Sequence, residues 1–315
     1  MFREALVKVI GKADLSAAEA AAAMDDIVEG RVPAAQVAGL LVGLAMKGER
    51  PDEIVGFATV MRDRAVAVPV AHGVTIDLCG TGGDGSGTFN ISSAAAIVAA
   101  ACGATVAKHG NRSVSSRCGS ADVFEALGVT IDAGPEALAR CLREANLAFL
   151  FAPALHPSMR NVVAVRRELG VRTAFNLLGP LTNPTRPAYQ IVGVPRPELT
   201  ELLARALALL GARRAWVVHG ADGLDELSTT GYSKVSECRD GSVNTFYVHP
   251  SDVGLAKAQT GALAGGDAAF SSTTSRAGPR RPASSSRTRS ALNAASPPAS
   301  APVCALASPT SDGCT

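Results

Sequence analysis

The stretch Asp77-Leu-Cys-Gly-Thr-Gly-Gly-Asp-Gly-Ser-Gly-Thr-Phe-Asn-Ile-Ser-Ser93 predicts a strand, a glycine-rich loop and the start of a helix. Residues 74–79 are mostly apolar and β-branched, which is typical of a buried strand. Five glycines lie between positions 80 and 87, and their lack of a Cβ lets the backbone approach a ligand closely. Residues 91–102 predict an Ala-rich helix whose first N–H groups can bind an anion. We interpret this stretch as a phosphate-binding loop.

Two better-known phosphate motifs fit this loop less well. Gly80-x-Gly82-x-x-Gly85 matches the dinucleotide fingerprint, but that motif enters its helix at the glycines and needs an acid about 20 residues later. Here the next strand ends at Lys108, and Asp84 would repel a bare pyrophosphate unless a cation stood between them. No Gly-Lys-Ser/Thr follows the loop, so the Walker pattern does not fit either. A purely structural turn is the plain alternative.

A second polar stretch, Lys108-His-Gly-Asn-Arg-Ser-Val-Ser-Ser116, follows the next candidate strand. Because neighbouring parallel strands end at one edge of a sheet, we expect this stretch to face the same crevice as the glycine loop. Its ammonium, guanidinium, amide and hydroxyl groups suit a phosphorylated, hydroxylated ligand, whereas the alternative is a solvated polar loop. Ser120 is expected to cap the following helix, and such a cap can also hold phosphate.

From residue 74 the chain alternates candidate strands with candidate helices. This alternation predicts an α/β fold with a mostly parallel sheet flanked by helices, and with ligands at the carboxyl ends of the strands. A hairpin is expected over residues 234–248, with its turn at Arg239-Asp240-Gly241. The candidate strands are 74–79, 104–107, 129–131, 147–151, 190–194 and 214–219, and the candidate helices are 91–102, 120–127, 135–145, 158–169 and 197–211.

The two ends of the chain differ from this α/β domain, which we place at residues 72–267. Residues 1–68 predict a small all-helical domain, with helices over 17–28, 34–46 and 52–64. The strandless segment 166–184 is expected to return to that domain. Residues 268–315 are rich in Ser, Ala, Pro, Thr and Arg, a composition that predicts a disordered low-complexity tail.

Composition argues against several classes of protein. At 315 residues and 47% hydrophobic content the chain can bury a sizeable core. A net charge of +2 gives no electrostatic case for nucleic acid or an anionic membrane. No apolar run has the length of a membrane span or the form of a signal peptide, so we expect a cytoplasmic protein. The seven cysteines are scattered and lack CxxC pairs, which argues against disulfides or a zinc site.

Two adjacent carboxylates, Asp225 and Glu226, follow the candidate strand 214–219. An Asp-Glu pair alone is usually solvated surface. Beside two anion-binding loops, however, it favours Mg²⁺ held by oxygen ligands and shared with substrate phosphates. Ser92 could add a hydroxyl ligand. Arg166, on the candidate helix 158–169, is by its spacing more typical of a surface charge.

Together the motifs closely resemble the anthranilate phosphoribosyltransferase family. The resemblance runs from the N-terminus to about Asp267, and residues 268–315 do not resemble the helices with which the family completes its α/β domain. This abrupt change suggests a frameshift as a hypothesis. The matching stretches are Asp77-Leu-Cys-Gly-Thr-Gly-Gly-Asp84, Thr88-Phe-Asn-Ile-Ser-Ser93, Lys108-His-Gly-Asn-Arg112, Gly119-Ser-Ala-Asp122, Asn176-Leu-Leu-Gly-Pro-Leu-Thr-Asn-Pro184 and Asp225-Glu-Leu-Ser228.

The resemblance implies transfer of the phosphoribosyl group of phosphoribosyl pyrophosphate to anthranilate, with two Mg²⁺ ions, in tryptophan biosynthesis. It also implies a fold like that of nucleoside phosphorylases and a homodimer formed through the helical domain. No residue is assigned as general acid or base. The implied anthranilate contacts are Gly80, Asn111 and Arg166, and the implied metal ligands are Ser92, Asp225 and Glu226. The implied donor contacts are Gly80, Gly83, Asp84, Thr88, Asn90, Ile91, Ser92, Ser93, Lys108, His109, Gly110, Asn111, Arg112, Ser113, Val114, Ser115, Ser116 and Ser120.

Two other functions remain open on the sequence. A pyrimidine nucleoside phosphorylase has a related fold and shares the Lys-His-Gly-Asn-Arg stretch, but the Asp84 loop and the Asp225-Glu226 pair favour a pyrophosphate and metal substrate. A non-catalytic nucleic-acid-binding relative would need a basic stripe and degraded site residues. Here the Arg-rich stretch lies only in the tail, and the site residues are intact.

Overall fold

The computed structural model describes residues 1–70, 75–113 and 118–277. Helices and strands follow one another as the alternation predicts. The helices are α1 (Phe2–Ile10), α2 (Ala17–Val28), α3 (Ala34–Lys47), α4 (Pro51–Asp63), α5 (Ile91–Ala101), α6 (Ser120–Ala126), α7 (Pro135–Ala145), α8 (Ala152–Leu155), α9 (Arg160–Leu169), α10 (Ala174–Leu178), α11 (Leu199–Leu209) and α12 (Ala268–Ala277). The strands are β1 (Thr75–Gly80), β2 (Thr105–Gly110), β3 (Leu147–Phe151), β4 (Tyr189–Gly193), β5 (Arg214–Gly220), β6 (Ser233–Arg239) and β7 (Ser242–Val248).

The N-terminal helices form a bundle in which α2 packs on α4 and α1 packs on α3. Ser16 begins α2 with a capping box, since Glu19 N–H donates to Ser16 Oγ (3.2 Å) and Ser16 N–H donates to Glu19 Oε2 (2.8 Å). Helices α9 and α10 return to this bundle and pack against α2, α3 and α4. The apolar core is continuous from the bundle through α11 to β4 and β5, so the bundle rests against one side of the sheet.

The sheet has the strand order β3-β2-β1-β4-β5-β6-β7. The strands from β3 to β5 pair in parallel, and the hairpin β6–β7 adds two antiparallel strands at one edge. The hairpin turns at Asp240 and Gly241, whose φ angles are positive (47° and 83°), as a two-residue turn requires. The protein is thus an α/β protein with a helical N-terminal part and a mostly parallel sheet.

Three details differ from the sequence expectations. The strand predicted at 129–131 is absent because Val129 N–H donates to Phe124 O at the end of α6, while Ile131 is buried against helix and sheet. Helix α1 had no predicted counterpart. Residues 268–277, assigned to the disordered tail, form α12, which packs on α6 and α5. Residue 74 of the predicted first strand lies outside the described residues.

Candidate active site

The glycine loop lies where the strand order reverses. The connections from β1 to β2 and β3 run one way along the sheet, and β4 begins again on the other side of β1. Such a switch point opens a crevice at the carboxyl ends of the strands. Strand β1 ends here at Gly80, and Thr81 N–H donates to Gly193 O of β4 (2.9 Å). Positive φ angles, which favour glycine, occur at Gly82, Gly83, Gly85 and Gly87.

Strands β1 and β2 separate before they reach this crevice. Their register covers only Thr75 with Thr105 and Ile76 with Val106. Beyond it, the almost fully buried Lys108 fills the gap, and its Nζ donates to Leu78 O (2.6 Å) and to Ser92 Oγ (3.1 Å). Burial lowers the pKa of Lys108, and the nearby Asp77 opposes that shift. The sequence places Lys108 after the strand, whereas the structure places it inside β2, because β2 continues to pair with β3 as far as Gly110.

Asp77 ties the two separated strands together. Its Oδ1 accepts the His109 backbone N–H (3.1 Å), and its Oδ2 accepts a hydrogen bond from Asn183 Nδ2 (2.9 Å). Asn183 Nδ2 also donates to Ala107 O (2.8 Å). Burial raises the pKa of Asp77 to about 6, and Lys108 and Asn183 oppose that shift. Asn183 therefore fixes the floor of the crevice from a segment far along the chain.

His109, on β2, forms a buried pair with His156. The rings of His109 and His156 are 5.2 Å apart in an edge-on arrangement, and His109 Nδ1 lies 3.1 Å from Gly179 O. Burial lowers the pKa of His109 to about 3 and that of His156 to about 4. Both imidazoles are therefore neutral near pH 7. His109 was predicted as a donor contact, but its ring lies against Gly179 and His156.

Three carboxylates face the glycine loop from the end of β5 and from the loop itself. A Cβ at Gly80 would lie 3.0 Å from Asp225 Oδ2, so the acid approaches the start of the glycine loop closely. Burial and the neighbouring Asp84 raise the pKa of Asp225 to about 6. Burial and Asp225 raise the pKa of Glu226 to about 8, against the opposing effects of Lys108 and of a hydrogen bond from the Ser92 backbone. Ionising these neighbouring acids is costly, and a bound cation would relieve that cost, so the crevice is suited to a cation.

These oxygen donors fit Mg²⁺ better than a softer metal. Within the described ranges, no three His, Cys, Asp or Glu side chains converge as a ready-made metal centre. Mg²⁺ does not require one, because it keeps several waters and takes only one or two carboxylates together with substrate phosphates. Glu226 accepts a hydrogen bond from the Ser92 backbone and lies next to Asp225 in the chain. Glu226 thus lies against the start of α5, while the Ser92 hydroxyl accepts a hydrogen bond from Lys108 Nζ (3.1 Å), and the three metal ligands stay a prediction.

The remaining residues of the glycine stretch lie around the start of α5. Asn90 is the residue before the helix, and its Nδ2 donates to Cys118 O (3.2 Å). Ile91 begins the helix, and Ser93 is buried with no hydrogen-bond partner for its Oγ among the described residues. Thr88 pairs with Ala264 in an isolated bridge. No side chain caps α5 by a hydrogen bond, so its first N–H groups are available to a ligand.

The second polar stretch is only partly described, since Val114, Ser115 and Ser116 lie outside the described residues. Arg112 forms ion pairs with Asp122 (2.8 Å) and Glu125 (2.8 Å) on the exposed side of α6. The pKa of Arg112 is raised by these two carboxylates. Arg112 is therefore turned toward α6 in this structure, although it was predicted as a donor contact.

Asn111 and Ser120 meet where this stretch joins α6. Asn111 Oδ1 accepts the Arg112 backbone N–H (2.7 Å), and Ser120 Oγ donates to Asn111 O (3.3 Å). Ser120 is the first helical residue and not the cap, which is Gly119. A Cβ at Gly119 would overlap the Arg112 and Ser113 backbone, so only glycine fits at the cap position.

Arg166 projects from α9 over the ring of Phe175, with 5.6 Å between Cζ and the ring centroid. It is half-buried, and burial lowers the pKa of its guanidinium. Among the described residues it has no carboxylate within ion-pair distance. A cation next to an aromatic face is a suitable receptor for an aromatic carboxylate.

Sequence reasoning missed several polar residues at this site. Asp77 was quoted in the glycine stretch without a role, and Asn183 was used only for the resemblance. Neither His156 nor Arg172 was assigned a role at the site. The available signal was the polar end of the strandless segment, Thr182-Asn183, although nothing in the sequence alone says that it reaches β1.

The part of the chain that the structure describes contains no helix that is both long enough and apolar enough to cross a membrane.

Comparison with known proteins gives consistent matches over both parts of the chain. Residues 3–65 match the family model described as the glycosyl transferase family, helical bundle domain. Residues 72–296 match the glycosyl transferase family, a/b domain, so this match extends beyond Asp267. An anthranilate phosphoribosyltransferase from Moorella thermoacetica is 54% identical over 286 residues, which cover 90% of this chain and 84% of that protein.

Solved structures give the same result. The crystal structure of anthranilate phosphoribosyltransferase from Thermus thermophilus aligns with a TM-score of 0.82 and 46% identity, covering 86% of this chain and 81% of that one. The Saccharomyces cerevisiae enzyme, in complex with PRPP and Mg, aligns with a TM-score of 0.78 and 27% identity, covering 87% and 80%. The chain belongs to the anthranilate phosphoribosyltransferases of the glycosyl transferase family.

Proposed function

We propose that this protein transfers the phosphoribosyl group of phosphoribosyl pyrophosphate to the amine of anthranilate, a step of tryptophan biosynthesis. The observation on which this mainly rests is the crevice at the strand switch point. There a glycine loop and a helix N-terminus offer N–H groups to phosphate, and Asp84, Asp225 and Glu226 offer oxygens to a divalent cation. The names of the relatives agree with this combination.

The reaction exchanges one bond at the anomeric carbon for another. The bond between ribose C1 and the pyrophosphate oxygen breaks, and pyrophosphate leaves with the electron pair. The amine nitrogen of anthranilate forms the new bond to C1 and loses a proton to solvent. An aniline is a neutral nucleophile, so positioning it against C1 matters more than removing its proton beforehand. This agrees with a crevice in which His109 and His156 are buried beneath the strand.

Mg²⁺ fits the oxygen donors described above, and the cation would be held by Asp225, Glu226 and Ser92. Bound there, Mg²⁺ supplies positive charge that stabilises the negative charge developing on pyrophosphate. We propose two ions, since both carboxylates need compensation and the substrate brings further phosphate oxygens. The raised pKa values of Asp225 and Glu226 support this, because they indicate negative charge that the protein alone leaves unbalanced.

The substrate contacts remain proposals. For anthranilate we retain Gly80, Asn111 and Arg166, with Arg166 binding the carboxylate and Phe175 beside it. For phosphoribosyl pyrophosphate, the backbone N–H groups of the glycine loop and of the start of α5 supply hydrogen-bond donors. Lys108, whose Nζ lies beside Leu78 O and Ser92 Oγ, supplies positive charge. Arg112 would have to leave its partners Asp122 and Glu125 to contribute. The other donor contacts stand as the resemblance implies them.

We further propose a homodimer formed through the helical bundle. Large apolar side chains are exposed there, with Val7 64%, Ile10 68% and Met46 82% accessible. Such a cluster on α1 and at the end of α3 is unfavourable in water and is typical of a subunit interface. Analytical ultracentrifugation would measure the mass directly. Val7→Glu with Ile10→Glu should give a monomer, and a dimer that survives both changes would contradict this interface. The expectation of a cytoplasmic protein stays a prediction.

Anthranilate fluorescence tests the function. The full chain is mixed with anthranilate, phosphoribosyl pyrophosphate and Mg²⁺, and the fluorescence is followed with and without EDTA. We expect a loss of signal that needs both the donor and the metal. No loss from a folded protein would contradict the proposal and favour a non-catalytic binding relative. No loss from a protein that melts at low temperature would point to the unusual C-terminal tail.

A further inference from the structure

Arg172 joins the helical side of the molecule to the glycine loop. It lies in the short segment between α9 and α10, both of which pack against the bundle. Its Nη2 donates to Thr81 O, directly after β1 (3.3 Å). A Cβ built on Gly83 would overlap the Arg172 guanidinium, so the glycine at position 83 leaves the space that this group occupies. The guanidinium therefore lies directly against the loop that is proposed to bind phosphate.

The bonding of Arg172 is incomplete in a way that distinguishes it from the other arginines around it. A guanidinium has five N–H donors, and among the described residues Arg172 makes one hydrogen bond and no ion pair. By contrast Arg112 has two carboxylate partners, and Arg196 lies 3.5 Å from Glu198. Burial and the neighbouring Arg196 lower the pKa of Arg172, and Asp225 opposes that shift without forming an ion pair with it among the described residues. Spare guanidinium donors next to a phosphate-binding loop are a receptor for an anion.

The charges on the two walls of the crevice are opposite. Asp84, Asp225 and Glu226 line the sheet side and favour a metal ion, while Arg172 reaches the glycine loop from the segment between α9 and α10. A polyanion that carries a metal would be bound between these walls. Its metal would contact the carboxylates, and its remaining oxygens would face the guanidinium of Arg172. Pyrophosphate has enough oxygens to make both contacts at once, and an arginine fork can bind two of them.

We propose that Arg172 binds the pyrophosphate group of the donor and stabilises it as it leaves. This inference rests on the proposed function and adds a residue to it. When the bond from C1 to the pyrophosphate oxygen breaks, the electron pair stays on pyrophosphate, and Arg172 lies against that extra charge from the side opposite the metal. Because Arg172 comes from the helical side, it also closes the crevice over the glycine loop and links the two parts of the molecule when the donor is bound.

The test compares Arg172→Gln and Arg172→Lys in the full chain with the control Arg167→Gln, an exposed arginine on α9. Calorimetry with inorganic pyrophosphate and Mg²⁺ measures binding, and the fluorescence assay measures kcat and the KM of each substrate. For Arg172→Gln we expect pyrophosphate binding to weaken by roughly tenfold or more, as for the loss of charge-assisted hydrogen bonds. The KM of the donor should rise and kcat fall, while the KM of anthranilate and the melting temperature stay close to wild type. Lysine should restore part of the binding, since it keeps the charge but loses the fork.

Equal pyrophosphate binding by wild type and Arg172→Gln would overturn the inference, as would the same losses in Arg167→Gln. A larger rise in the KM of anthranilate than in that of the donor would also overturn it, because Arg172 would then serve the acceptor. The proposed function fails separately, when wild type binds pyrophosphate with Mg²⁺ but consumes no anthranilate. Wild type that does not bind pyrophosphate at all would overturn the assignment of Arg172 directly.

Discussion

Glu53 in the helical bundle and Glu226 in the crevice are both shielded carboxylates with opposite surroundings. Glu53 is 0% exposed, and its oxygens accept the N–H groups of Leu15 (2.9 Å) and Arg50 (2.8 Å) and the ammonium of Lys47 (3.0 Å). Glu226 instead lies beside another carboxylate, and its pKa rises to about 8.

This difference in surroundings distinguishes an acid that stabilises the fold, Glu53, from an acid that we expect to bind a ligand, Glu226. Glu53 joins the start of α2 to the start of α4, and it can do so because donors from three elements satisfy it. At Glu226 the Ser92 backbone N–H and the charge of Lys108 do not offset burial and the neighbouring Asp225, so its ionisation has a cost that a bound cation can relieve. Removing Glu53 should therefore harm the fold, and removing Glu226 should harm the chemistry.

The largest effect is expected from Asp225→Asn combined with Glu226→Gln. Turnover should fall by roughly a thousandfold, the size of effect seen when electrostatic stabilisation of a transition state is removed. The KM of anthranilate should change little, because these acids lie on the side of the donor. The fluorescence assay measures both, with the exposed turn variant Asp240→Asn as control. Unchanged turnover would contradict the metal assignment.

Glu53→Gln should have the converse effect. It leaves Lys47, whose side chain is 5% exposed, without its most buried partner, and breaking a buried ion pair typically costs about 3 kcal/mol or more. Urea unfolding measures the free energy, and kcat per folded molecule should remain that of wild type. Glu201→Gln, which breaks only an exposed pair with Arg205, is the matched control and should change stability by less than ~0.5 kcal/mol. A stable Glu53→Gln protein that has lost activity would reverse the comparison.

The buried histidines give a second test of how burial affects a charged group, because here burial opposes the positively charged form. His109 and His156 have folded-state pKa values of about 3 and about 4, below the ordinary 6.5, so below pH 6.5 the unfolded chain binds more protons than the folded one. Each histidine should therefore remove ~1.4 kcal/mol of stability per pH unit as the pH falls from 6.5 toward 5. The raised pKa values of Asp225 and Glu226 act in the opposite sense over this range. The contribution of a histidine is therefore measured as the difference in pH dependence between wild type and a variant that lacks it.

Urea midpoints of wild type and His156→Gln are compared at each pH. The acid-dependent slope should be smaller in the variant, and the exposed His249→Gln should keep the wild-type slope. Identical slopes in all three proteins would show that His156 is not held neutral by the fold.

The smallest expected effect is that of ligand on melting temperature. Phosphoribosyl pyrophosphate with Mg²⁺ at ten times its dissociation constant should stabilise the fold by ~1.4 kcal/mol, or about 2–4 °C. Glu53→Gln should show the same increase from a lower starting point, because its crevice is unaltered. Asp225→Asn with Glu226→Gln should show a smaller increase or none. An increase that is lost in Glu53→Gln and kept in the double variant would contradict the assignment of the two acids.

The sequence predicts those parts of this molecule that depend on local signals. Five glycines between a strand and a helix indicate the loop, the alternation indicates the parallel sheet, and Asp225-Glu226 after a strand indicates the acids. What it misses depends on partners distant in the chain. The Val129–Ile131 strand was wrong because helix-end hydrogen bonds and burial satisfy that segment without a sheet. The extension of β2 through Lys108 depends on pairing with β3, and α12 depends on packing against α5 and α6, which are distant from it in the sequence.

Asn183 has a consequence for the order in which this protein folds. Its hydrogen bonds to Asp77 and Ala107 span 106 and 76 residues of chain, and they replace the backbone ladder that β1 and β2 lack at the crevice. Contacts of such sequence separation form slowly, because a long loop must close first. We therefore expect β2 and β3 to gain protection from amide exchange early in refolding, and the ends of β1 and β2 only once α10 has docked. The catalytic crevice would then be among the last parts of the protein to form during folding.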